Sequence, residues 1–159
     1  MNFRSLCVIA AMLFLAACQS SPQSGANAGG TAASASASTA APGSSEDFVQ
    51  NVGDRVFFDF DKSNIKAEGQ QTLQRQAAWL KKYSNVKVTV EGHCDDRGTR
   101  EYNLALGARR ANAVKRALVA LGIDANRITT ISYGKERPAV IGDNDAAWAQ
   151  NRRGVTVVQ

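Results

Sequence analysis

The chain predicts one α/β domain: a two-layer sandwich with a mixed sheet and helices on one face, carried behind a long segment that cannot form a core. Three observations predict it. Apolar residues alternate at strand period over 56–60, 86–91, 128–133 and 155–158, while helical spacing fills 66–83 and 100–121 between them. The resulting order, β-α-β-α-β-(α)-β, implies crossover helices and parallel neighbours. On the second strand Lys87, Thr89 and Glu91 alternate with Val86, Val88 and Val90, so one sheet face is polar and the helices belong on the other. A length of 159 residues allows one such domain and its tails.

The elements follow in order. Arg4 precedes a ten-residue apolar run, Leu6 to Leu15, too short to span a bilayer as a helix. Leu15-Ala16-Ala17-Cys18 then resembles the bacterial lipoprotein box, which implies a signal peptide over 1–17 and acyl chains on Cys18. Two or more chains anchor a protein stably, at ~0.8 kcal/mol per buried methylene. Gln19, where inner-membrane lipoproteins usually carry Asp, implies the outer membrane by the same resemblance. With Cys7 removed and Cys18 lipidated, Cys94 is left as the free thiol and no intrachain disulfide is expected.

Residues 19–45 contain 20 Ala, Gly and Ser among 27 and no charge. Such a stretch buries too little apolar area to offset its ordering entropy. The expected organisation is therefore a lipidated Cys18 with a tether over 18–45 and a domain over 46–159. As a coil the tether spans ~25–30 Å, and fully extended ~90–95 Å.

Within the domain, Val56, Phe58 and Phe60 share one side of the first strand, and Asp61 to Asn64 is a loop. Leu73, Ala77 and Leu80 lie on one face of the helix over 66–83. His93 to Thr99 reads as a polar loop. The helix over 100–121 stops at Gly122, with Ile123 placed to close it. A strand at Ile128 to Tyr133, a loop at 135–145, a short helix at 146–150 and a last strand at 155–158 complete the domain.

Composition narrows the function. The formal net charge of +5 is modest, and an exported protein meets no nucleic acid, so the pairs Arg109/Arg110 and Arg152/Arg153 are read as solvated faces or partner contacts. One histidine and one free thiol fall short of a zinc set, so no metal or other cofactor is expected. Asp95 and Asp96 are adjacent rather than facing, and no nucleophile-base pair is evident, so no enzyme is expected.

One residue stands out. On the helix over 100–121, at about 3.6 residues per turn, Leu106, Ala113, Val114, Ala117, Leu118 and Leu121 form the apolar stripe, and Arg110 falls inside it. An inward guanidinium needs an anion, because burying it unpaired is costly. Asp95 and Asp96 in the preceding loop are the nearest acids. Two readings follow: an Asp95–Arg110 ion pair that pins the loop, or a cleft in which Arg110 takes a ligand carboxylate and Asp95 a ligand ammonium.

The run Gly92-His93-Cys94-Asp95-Asp96-Arg97-Gly98-Thr99, then Tyr102-Asn103 and Arg109-Arg110-Ala111, resembles the OmpA-like peptidoglycan-binding domain. Phe58-Asp59-Phe60-Asp61-Lys62-Ser63, Ser132 to Pro138 and Asn151-Arg152-Arg153 extend the match over 55–158. The resemblance implies a ligand, the diaminopimelate of the peptidoglycan peptide stem. It implies that Asp95 binds the ammonium and Arg110 the carboxylate, with Asp61, Ser63, Thr99 and Asn103 lining the pocket. Cys94 stands where many members carry Ala or Thr, so it is expected to be a small filler. The family's lipid-anchored members further imply TolB and the Tol complex as partners in envelope integrity and cell division. A wall-anchoring lipoprotein outside the Tol system is the alternative.

Overall fold

The computed structural model describes residues 40–159. The expected signal peptide, the lipid site at Cys18 and the tether up to residue 39 lie outside them. Ser44 N–H donates to Ala41 O at 3.0 Å, and Ser44 Oγ accepts from Asp47 N–H at 3.1 Å. This cap starts α1 (Ser45–Asp47), which widens into a π-helical turn over Phe48–Val52 and ends at Gly53, φ 91°. Residues 41–45, expected as tether, are thus part of the fold.

The remaining elements are β1 (Arg55–Phe57), α2 (Ala67–Lys82), β2 (Val88–His93), α3 (Arg100–Ala120), β3 (Ile128–Gly134), α4 (Asp145–Asn151) and β4 (Arg153–Val158), with a single 3-10 turn before β3. The sheet order is β1-β4-β2-β3. β2 and β3 are parallel and joined across α3, as strand–helix alternation requires. The other neighbours are not parallel: β4 returns between β1 and β2 and runs antiparallel to both.

Val88, Val90 and Gly92 of β2 point to the helical layer, where Phe48, Val56, Phe58, Leu73, Leu80, Val114 and Leu118 form the buried core. Each such side chain contributes roughly 1.5–3 kcal/mol of burial. Near the end of β2 the packing tightens to backbone contact. A Cβ on Gly92 would sit 1.9 Å from Gly107 O of α3, so only glycine lets this helix approach. α3 ends as expected: Gly122 adopts φ 92°, and Ile123 N–H donates to Leu118 O at 3.1 Å.

Three strand boundaries move, the last strand starting at Arg153 rather than Val155 because Phe57 and Val56 of β1 pair with Arg153 and Gly154. The first strand does not reach Phe60. Phe58 is buried and its N–H donates to Arg152 O, but the chain then turns, with Lys62 N–H on Asp59 O and Asp61 at φ 57°, leaving Phe60 56% exposed. The second strand starts at Val88, not Val86, and runs on through Gly92 and His93, because β3 and β4 hold it from both sides. Val86 instead closes a turn on Tyr83 O and accepts from Arg127 Nε.

Candidate functional site

The ends of β1 and β2 and the start of α3 meet at one pole of the domain. Gly98, φ 87°, turns the loop after β2 onto α3, where Thr99 Oγ1 caps the helix by accepting from Tyr102 N–H. Asn103, 1% exposed, donates through Nδ2 to Arg97 O and Thr99 O, folding the loop over the helix. Lys135 Nζ donates to Asp96 O and Gly98 O and fixes the loop from its other side.

Arg110 is fully buried. Its Nε donates to Lys62 O at 2.9 Å, Nη1 to His93 O at 2.9 Å and Nη2 to Asp59 O at 3.1 Å. The guanidinium therefore joins the β1–α2 turn to the end of β2 through three backbone carbonyls. Its Cζ also lies 5.2 Å from the Phe58 ring centre. Among the described residues it pairs with no carboxylate. Burial pushes its pKa down, yet arginine stays protonated in proteins, so a positive charge stands here without a counter-ion.

Asp95 is 4% exposed and does not bond to Arg110. Its Oδ2 accepts from Arg97 Nη2 at 2.7 Å and from Arg152 Nη1 at 3.2 Å. Burial pushes the Asp95 carboxyl up, but hydrogen bonds from Arg97 and Arg152 outweigh it and hold the group below the usual carboxylate range. The Asp95–Arg110 pair of the first reading is thus not formed. Asp95 and Arg110 both line one cavity of about 170 Å³, together with Phe60, Asp61, Arg97, Gly98, Tyr102, Asn103 and Leu106. A larger groove of about 270 Å³ between α2 and α3 is lined by apolar residues and two glutamines and holds no ionisable group.

The structure brings Asp61, Asp95, Asn103 and Arg110 together on this cavity. Asp61 accepts a hydrogen bond from Tyr102 OH. Ser63 and Thr99 do not line it: Ser63 lies past the turn, and Thr99 serves the helix as its cap. Cys94 is buried, its Sγ–H donating to Asn103 O at 3.3 Å, and burial pushes the thiol pKa up, so it packs as an inert filler. Sequence reasoning passed over Phe60, Arg97, Tyr102 and Arg152. Arg97 is sandwiched between the rings of Phe60, at 4.0 Å, and Trp148, at 4.1 Å. The alternation of Phe60 with Val56 and Phe58 pointed to the core, and only the turn at Asp61 takes it out to the cavity.

Residues 57–152 match the OmpA family. The chain belongs to the OmpA family. Among OmpA-family relatives, the peptidoglycan-associated lipoprotein of Agrobacterium fabrum is 57% identical over 83% of this chain and 75% of its own length. That of Haemophilus influenzae is 45% identical over 96% and 95%. Among solved OmpA-like structures, the Burkholderia pseudomallei peptidoglycan-associated lipoprotein superposes with TM-score 0.65 at 44% identity, covering 67% of this chain and 90% of that one. The C-terminal domain of Helicobacter pylori MotB shares the fold alone, with TM-score 0.62 at 24% identity.

Proposed function

We propose that this chain is an outer-membrane lipoprotein, held by acyl chains on Cys18, whose domain grips the diaminopimelate of the peptidoglycan peptide stem without covalent chemistry. One observation carries the reading: a buried, permanently charged Arg110 without a carboxylate partner faces the same cavity as an ionised Asp95. A group with one carboxylate and one ammonium complements that split pair. Arg110 takes the carboxylate through its remaining N–H groups. Asp95 Oδ1, to which no described residue donates, takes the ammonium. The names of the relatives support the wall as the source of the ligand. TolB and the Tol complex are the proposed partners, linking the anchored wall to envelope integrity and constriction at division.

The test is retention of the full chain, solubilised in detergent, on purified sacculi. Asp95→Asn keeps the shape and removes the charge, and Arg110→Lys keeps a charge and removes the fork. Both are expected to lose most retention at physiological salt. Retention equal to wild type in both variants removes the assigned site. Co-purification of TolB with the wild-type chain distinguishes membership of the Tol system from a general wall anchor.

A further inference from the structure

The three guanidinium groups at the pocket are held very differently. Arg110 is fixed by three carbonyls. Arg152 is fixed through Nε on Phe58 O at 3.0 Å, and its side chain is mostly covered. Arg97 makes its side-chain hydrogen bond to Asp95 and is otherwise held by two aromatic faces, with a third of its side chain in solvent. In this position Arg97 Nε and Trp148 Nε1 are both buried and without a hydrogen-bond partner. A buried donor without a partner is a cost that any outward movement of Arg97 relieves.

A cation entering the pocket seeks the carboxylate that Arg97 already occupies. Three cations around one carboxylate repel one another, and the one with the fewest fixed bonds gives way. We propose that Arg97 is a built-in occupant of the Asp95 site, parked on Oδ2 between Phe60 and Trp148, and that a ligand ammonium arriving at Oδ1 competes with it for the one negative charge and pushes it outward. Trp148 is the positioning residue that sets how firmly it is parked. The proposal rests on Asp95 being the ammonium acceptor.

The consequence is a threshold for binding. An amine alone only exchanges one cation on Asp95 for another and gains little. A ligand that also brings a carboxylate to the unpaired Arg110 adds an interaction the empty site lacks. The parked guanidinium thus suppresses simple amines and leaves doubly charged amino-acid ends as the ligands that bind.

The probes are meso-diaminopimelate and cadaverine, its carbon skeleton without the carboxylates, titrated by calorimetry into the full chain in detergent. Wild type is expected to bind the first and to discriminate against the second. Arg97→Gln is expected to tighten diaminopimelate and cadaverine alike, by about threefold or more, because both are relieved of the same competitor while Arg110 keeps the difference between them. Trp148→Leu is expected to move both in the same direction by less, with the fold checked by its thermal transition. Weaker or unchanged diaminopimelate binding in Arg97→Gln overturns the proposal and makes Arg97 a ligand contact or a bystander. Failure of wild type to bind diaminopimelate at all overturns the functional reading itself, and this one with it.

Discussion

Single residues in this domain often serve two ends, and His93 shows how the balance is struck. It closes β2 on the open sheet face, 2% exposed, with Nε2 3.4 Å from Glu91 Oε2 and its ring 5.5 Å from that of Tyr133. The nearby carboxylate favours a charged imidazole. Burial, with Arg153 adding to it, wins, and His93 is pushed down to about 4 from 6.5. At neutral pH the contact with Glu91 is thus a hydrogen bond rather than an ion pair. A folded value below the unfolded one means that the unfolded chain binds the proton more readily between those limits. The stability is complete above about pH 6.5 and is lost as the pH falls through about 4, by on the order of 3 kcal/mol. Urea midpoints measured from pH 7 to pH 4 are expected to fall for wild type. In His93→Gln they are expected to stay nearly level over that window. The backbone of the same residue accepts from Arg110 Nη1, so any change here has to be checked for the position of the arginine as well.

At the scale of elements, the site is made by the approach of α3 to β2. The contact of Gly92 with Gly107 brings the helix close enough for Arg110, three residues further along, to reach three carbonyls on two other segments. Gly92→Ala drives a methyl into the Gly107 carbonyl and forces the helix outward. The expected cost is about 3 kcal/mol or more in denaturant unfolding. Sacculus binding falls further than stability explains, because the carbonyl cradle is displaced. Much of this geometry was legible in local pattern: the limits of α2 and α3, the start of the strand at 128, and the inward phase of Arg110. What was not legible depends on partners distant in sequence. Nothing near Val155 tells it to insert between β1 and β2, and nothing near Asp95 shows that Arg152, 57 residues on, will share its carboxylate. The extension of β2 to His93 has the same cause, since the loop-like run from Gly92 becomes strand only when β3 and β4 flank it. The start of the fold was readable and passed over: Ser44 three residues before Asp47 is a capping pattern, hidden by the Ala- and Ser-rich stretch in front of it.

Across the whole domain, the cavity lined by Asp95 and Arg110 and the entry of the chain lie at opposite ends of α2. Asp61 and Lys62 precede the helix N-terminus, while Gly43 packs on Tyr83 just past its C-terminus, and sixteen residues of helix separate the two by about 24 Å. Under the function proposed above, the domain holds a wall ligand at one pole and leads to a membrane anchor from the other, so it is loaded along its length and the entry point has to resist being pulled away. The structure supplies a clamp there. Asp47 Oδ2 accepts from Trp79 Nε1 at 2.8 Å and from Gly43 N–H at 2.9 Å, and the bond from Gly43, then those from Trp79 and Asn51, hold its carboxyl down at about 2. Phe48 is fully buried and meets Trp79 edge-on at 4.9 Å, with the tilted ring of Tyr83 beyond it at 4.6 Å. Phe48→Ala leaves a cavity in the middle of this aromatic group and is expected to cost about 3–5 kcal/mol in equilibrium unfolding. Because the cavity proposed to bind ligand lies at the far pole, affinity for sacculi measured well below the new melting temperature is expected to stay within about twofold of wild type. Under a steady pull on the N-terminal segment, the variant is expected to release residues 41–53 at lower force than wild type while the sheet stays intact. Loss of affinity in step with stability would show instead that the two poles act as a single cooperative unit, with the clamp also shaping the pocket.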